Sequence, residues 1–168
     1  MAVPGDWKSL WKIHTPPKAK YLLWRICREC LPTRARLQER HVNCPEVCPV
    51  CELEIEHDWH FLFACNDNMH AWTAAGLDAV VLPRLQQFST VKGVIMDVCS
   101  KEDRDVAGRM ALLVWSLWNN RNNCVWNIIK EAGQQIGIKS ECMWREWQAV
   151  ADSAQCRFRA RYNNAAIV

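Results

Sequence analysis

Apolar positions along most of the chain recur at helical rather than strand spacing. Trp7, Leu10 and Trp11 follow Asp6, a suitable N-cap, and predict a short helix over 6–13. Pro16-Pro17 suits the first turn of a longer helix over 17–30, which Leu31-Pro32 ends because a residue before proline avoids the helical region. On a helical wheel Ala19, Leu22, Leu23, Ile26, Cys27 and Cys30 share one face, and Lys18, Arg25 and Arg28 gather on the other. Thr33 can cap a charged helix over 34–40, and Asn66 or Asp67 can start another that carries Trp72 and stops at Gly76. Periodicity fades over 77–90, around Pro83. It returns in Val91, Val94, Ile95 and Val98, and again in Val106, Met110, Leu113, Leu117 and Val125. Gly133 and Gly137 read as interruptions, after which Ser140 opens a last helix carrying Trp144, Trp147 and Val150. The fold class expected is mainly α, with a short hairpin near 46–53 as the one strand signal.

Residues 44–65 break this helical monotony with chemistry. Cys48 and Cys51 form a C-x2-C pair, eight residues separate Cys51 from His60, and four separate His60 from Cys65. Zn(II) favours a tetrahedral shell of thiolate and imidazole, and a two-residue gap lets one tight turn aim both sulfurs at a single ion. The gap between His60 and Cys65 is about one helical turn, which can bring both toward the same point. Cys48, Cys51, His60 and Cys65 are therefore the candidate ligands of a closed, structural zinc site. Cys27-Arg-Glu-Cys30 is a second C-x2-C, and with Cys48 and Cys51 it would make a four-cysteine site. That alternative leaves His60 and Cys65 without a role and takes two thiols from the apolar face of a helix, where Cys usually behaves as a small hydrophobe. Cys44 is a further substitute for Cys48 with less suitable gaps, and His57 is expected at the surface.

Several stretches occur in one order: Pro-Pro-Lys-Ala-Lys-Tyr-Leu-Leu-Trp-Arg at 16–25, Leu-Pro-Thr-Arg at 31–34, the C-x2-C, His60 and Cys65, and Trp-Ser-Leu-Trp-Asn-Asn-Arg-Asn at 115–122. Together they resemble the reverse-transcriptase zinc-binding domain of plant LINE-type, non-LTR retrotransposon polyproteins. The resemblance covers residues 7–75 and, as a helical spacer, 104–127. It implies zinc at Cys48, Cys51, His60 and Cys65, and a segment lying between polymerase and ribonuclease H domains, which become candidate partners. His57 stands where that family often carries a hydroxyl residue, and Cys44 is an extra thiol. The organisation expected is a zinc-binding domain over 1–76, a linker over 77–90 and a helical region over 91–168.

Charge sharpens the functional expectation. The net charge of +3 conceals +6 over residues 1–40, −7 over 41–83 and +4 over 84–168. Three thiolates and a neutral imidazole around Zn(II) add a further −1, so the knuckle is a poor surface for phosphate. Nucleic acid, RNA or DNA, is expected instead on the basic arm of Lys18, Arg25, Arg28, Arg34, Arg36 and Arg40. The run Trp115 to Trp126 could offer stacking faces, but its helical spacing favours core. No Asp-Asp pair, P-loop, H-E-x-x-H, G-x-S-x-G or G-x-G-x-x-G occurs, and no catalysis is expected. Ten Cys without an apolar leader in Met1 to Asp6 suggest a reducing, intracellular setting, cytoplasmic or nuclear, with no membrane span. The function expected is a non-catalytic, zinc-stabilised module that assists nucleic-acid binding or positions catalytic neighbours; the alternative is a structural or protein-interaction remnant.

Overall fold

The backbone of α1 (Trp7–Lys12) opens on Asp6, whose carboxylate accepts the Ser9 N–H at 3.2 Å. This computed structural model of the protein describes residues 5–165, with side chains through residue 157. Among the described residues seven further helices follow: α2 (Pro17–Cys27), α3 (Arg34–Glu39), α4 (Asn66–Ala74), α5 (Asp78–Gln87), α6 (Val91–Lys101), α7 (Arg104–Trp126) and α8 (Gly133–Ala165). A π turn, His60–Ala64, precedes α4. Among the described residues the hairpin expected near 46–53 is reduced to one antiparallel bridge between Val47 and Ile55.

Leu10, Leu23, Ile26, Phe61, Leu62, Trp72, Ile95, Met110, Leu113 and Trp144 belong to one buried cluster. The core therefore draws on helices from both sides of residues 77–90. That segment, expected as a linker, contains α5, in which Pro83 is accommodated and Val81 is buried. Arg84 ties α5 to the end of α6, with Nε donating to Asp97 at 2.8 Å and Nη2 to Glu102 at 2.7 Å. The faint periodicity there reflects a helix that buries little and relies on an ion pair.

Two helix boundaries differ from those read off the sequence. α2 stops at Cys27 because Glu29 turns into the left-handed region (φ 56°) and the Cys30 N–H closes on the Arg25 carbonyl at 2.9 Å. Cys30, expected on the apolar face, is exposed. α8 begins at Gly133, not Ser140. The two glycines do not interrupt it; they let it press against α4. A Cβ at Gly133 would stand 1.9 Å from the Asp67 carbonyl oxygen, and one at Gly137 2.4 Å from that of Ala71. Helix propensity disfavours glycine, and close packing of two backbones overrides it.

Candidate metal centre

The chain turns sharply after the Val47–Ile55 bridge closes its base. Cys48 N–H donates to the Glu54 carbonyl at 2.6 Å, and Glu52, in the left-handed region at φ 57°, donates its N–H to the Cys48 carbonyl at 2.8 Å. Pro49 and Val50 form the tip between the two thiols, and Val50 is buried under it. The gap of two residues thus gives the compact turn expected, with Cys48 fully buried and Cys51 half-buried.

His60 and Cys65 converge by a different route from a simple α-turn. Five residues apart on an α-helix, two side chains stand about 140° apart around the axis. Here the Cys65 N–H bonds to the His60 carbonyl at 2.7 Å, an i to i+5 closure that widens the turn. The carbonyls freed by this widening are taken up by side chains: Asn68 Nδ2 donates to Phe61 and Trp72 Nε1 to Leu62, both at 2.8 Å. His57, exposed as expected, accepts the His60 backbone N–H on Nδ1 at 3.2 Å and steadies the start of the turn.

The outcome is that one ligand atom each from Cys48, Cys51, His60 and Cys65 lies within 4.8 Å of all the others. Cys51 Sγ is 3.3 Å from His60 Nε2. A tetrahedron with Zn–S bonds of about 2.3 Å has edges of about 3.8 Å, so the four donors stand within about 1 Å of the separations that such an ion requires.

The donor chemistry fits as well. Cys65 occupies the N-cap position of α4, and its thiol is held below the ordinary range by a hydrogen bond with Cys48, helped against burial by the N–H groups of Asn68 and Asp67. Cys48, the other member of that bond, is pushed up by it and by burial, while the Cys51 and Val50 N–H groups favour its thiolate. Burial, followed by the charge of His57, lowers His60 and favours the neutral imidazole that a metal ligand must present. Thiols and a neutral imidazole in one partly buried cluster suit a cation of the zinc type.

The other thiols stand outside the group of four. Cys27 is buried in the core, its thiol pushed up to about 12 by burial and by neighbouring Cys99. Cys44 is half-buried, with its Sγ 3.9 Å from the Arg34 carbonyl. Cys124 of α7 packs against the small cluster of Cys48, Val50 and Cys65.

The six basic residues of the arm are not equivalent. Arg36 makes a two-pronged pair with Asp58 at 3.2 and 3.0 Å and also donates to the Leu31 carbonyl. Arg34 Nη1 donates to the Val47 carbonyl at 2.6 Å, at the base of the knuckle. Lys18 lies 3.5 Å from the centre of the Trp115 ring, and Arg28 lies over Trp24 at 5.0 Å. Arg28 and Arg40 are exposed and Arg25 half-exposed. Arg34 and Arg36 thus brace the metal turn.

The sequence did not single out Glu56, which is wholly buried and held by Arg121 of α7. The pair extends the site: the Arg34 N–H donates to Glu56 Oε2 at 2.7 Å, and Arg121 stacks on Trp118 at 4.7 Å. A signal was available, because Arg121 falls within the Trp-Ser-Leu-Trp-Asn-Asn-Arg-Asn run. Nothing local to Glu56 separates it from the other acids around the knuckle.

Three cysteines and one histidine, brought together by a braced turn and a helix start, form a cluster whose donor atoms could hold a metal ion. Residues 2–72 match the family described as zinc-binding in reverse transcriptase. Over 119 residues, 67% of its length, the chain is 27% identical to the Arabidopsis thaliana protein named "Putative ribonuclease H protein". It spans 18% of that protein's length. No solved structure matches the chain.

Proposed function

We propose that Cys48, Cys51, His60 and Cys65 hold one structural zinc ion, and that the module so fixed is a non-catalytic part of a retroelement-type protein that helps to hold nucleic acid or to position catalytic neighbours. The observation that carries the metal reading is the mutual approach of the four donor atoms within 4.8 Å. Bound there, zinc would cross-link the 48–51 turn to the start of α4 and add folding energy. All four positions are filled by protein, which leaves no open position for substrate.

The nucleic-acid part of the reading rests on charge. α2 contains no acid, and its Arg25 and Arg28, with Arg40 after α3, remain available to phosphate. The alternative, a structural or protein-interaction role, is favoured by the engagement of Arg34 and Arg36 in braces within the protein. Polymerase and ribonuclease H domains are proposed partners because of the family and the relative's name. Among the described residues no helix is long and apolar enough to cross a membrane.

Metal analysis of the purified chain tests the first part: one zinc per chain is expected, lost in Cys48→Ser and His60→Ala and retained in Cys27→Ser and Cys30→Ser. Loss of zinc in the latter pair, with His60→Ala unaffected, would transfer the site to the four-cysteine set. A salt titration against RNA and DNA separates the two roles. Arm contacts predict a log–log slope of roughly −2 to −4, at about −0.7 to −0.9 for each phosphate.

A further inference from the structure

The outer face of α2 carries aromatic rings as well as cations. At 100° per residue, Lys18, Tyr21, Trp24, Arg25 and Arg28 fall within an arc of about 120°, opposite the buried Ala19, Leu22, Leu23 and Ile26. The rings on this face are already ordered. Tyr21 and Trp24 stack with centroids 5.4 Å apart and planes 26° apart, and Arg28 covers Trp24 at 5.0 Å. Trp24 packs against the core, which anchors the stack, whereas Tyr21 remains 55% exposed. At the other end Lys18 is held over Trp115 of α7. Carboxylates lie toward both ends of this strip: Glu29 follows the helix, and Glu146 lines the groove beside Lys18.

We infer that this face of α2, with Tyr21 stacked on Trp24 between Lys18 and Arg25–Arg28, is a stacking platform for unpaired nucleotides. The inference rests on the nucleic-acid reading above and specifies it as single-stranded. An exposed tyrosine braced from behind presents a rigid planar face at low entropic cost, and the flanking cations supply phosphate contacts along about 15 Å of helix. Stacking of this kind tolerates any base and requires that the base be unpaired. Duplex offers this face its phosphates only.

Fluorescence anisotropy with a short labelled oligouridylate, an abasic oligonucleotide of equal length and a matching duplex tests this on the full chain. Tyr21→Ala and the non-planar Tyr21→Leu are expected to weaken oligouridylate binding by about 5- to 100-fold, as loss of one stacked base does. Both should leave abasic binding, the salt slope and zinc content unchanged, and Tyr21→Phe should bind as wild type does. If Tyr21→Ala and Tyr21→Leu bind oligouridylate like wild type while Arg25→Glu with Arg28→Glu does not, contact is through phosphate alone; the platform is then overturned and the broader reading stands. If the wild-type chain binds none of the probes, both fall.

Discussion

Glu56 and Arg121, 65 positions apart in the sequence, meet in a two-pronged pair, Nε to Oε1 and Nη2 to Oε2, each at 2.6 Å. Glu56 immediately follows the Val47–Ile55 bridge that closes the metal turn, and Arg121 lies near the end of α7. Arg121 also donates to the Pro32 carbonyl at 3.4 Å, and the Ala35 N–H bonds to the Glu56 carbonyl at 3.1 Å. One buried ion pair therefore joins the knuckle, the entry to α3 and α7.

Removing one partner of such a pair leaves the other charge buried without compensation. Arg121→Ala is expected to lower stability by about 3–5 kcal/mol, measured by urea unfolding. The double variant Glu56→Leu with Arg121→Met should recover much of that loss, because apolar packing can replace a buried pair. A loss in Arg121→Ala of under about 1 kcal/mol, the range of exposed pairs, would show that the contact is not buried in solution.

The two classes of basic residue in the arm should separate in one experiment. Arg36→Glu places a carboxylate against Asp58 and should both reduce stability and loosen zinc, read by thermal melting and by competition with a chromophoric chelator. Arg25→Glu and Arg28→Glu should change neither. Equal effects of all three substitutions on zinc retention would contradict the bracing role assigned to Arg36.

Gly137→Ala offers a test in which propensity and packing disagree in sign. Alanine is favoured over glycine in a helix by about 1 kcal/mol, yet its Cβ would overlap the Ala71 carbonyl oxygen at 2.4 Å. A net destabilisation of about 1–3 kcal/mol is expected from overpacking. An increase in the melting temperature would mean that α4 and α8 stand further apart than the structure shows.

Chelation should act locally before it acts globally. Hydrogen exchange is expected to accelerate first at Cys48, Glu52, Glu56 and Cys65, whose amides close the turn and the π segment. The interior of α7 around Leu112 and Leu113 should remain protected, because these residues belong to the large cluster and not to the small one around Cys48. Simultaneous loss at both places would show that the metal holds the whole fold.

In the isolated chain, magnesium-dependent cleavage of an RNA–DNA hybrid and primer extension are both expected to be undetectable. Cleavage that copurifies with the protein and disappears on substitution of one of its acids would overturn the non-catalytic reading.

Much of this protein follows from its residues alone. The spacing of Leu22, Leu23 and Ile26, of Val94, Ile95 and Val98, and of Met110, Leu113 and Leu117 determines helices α2, α6 and α7, because helical periodicity is a local property. The turn at Cys48–Cys51 is equally local, since two intervening residues leave the chain few ways to place both thiols. Tertiary structure decided the rest. Gly133 and Gly137 read as breaks until α4 supplies the backbone they must approach, and α5 is legible only once Arg84 meets Asp97 and Glu102. The widening of the turn between His60 and Cys65 depends on Asn68 and Trp72 reaching back to the freed carbonyls. The role of Glu56 depends on an arginine far along the chain. Contacts between distant segments carry no periodic trace, so the sequence could name the four candidate ligands but not the residues that hold them in place.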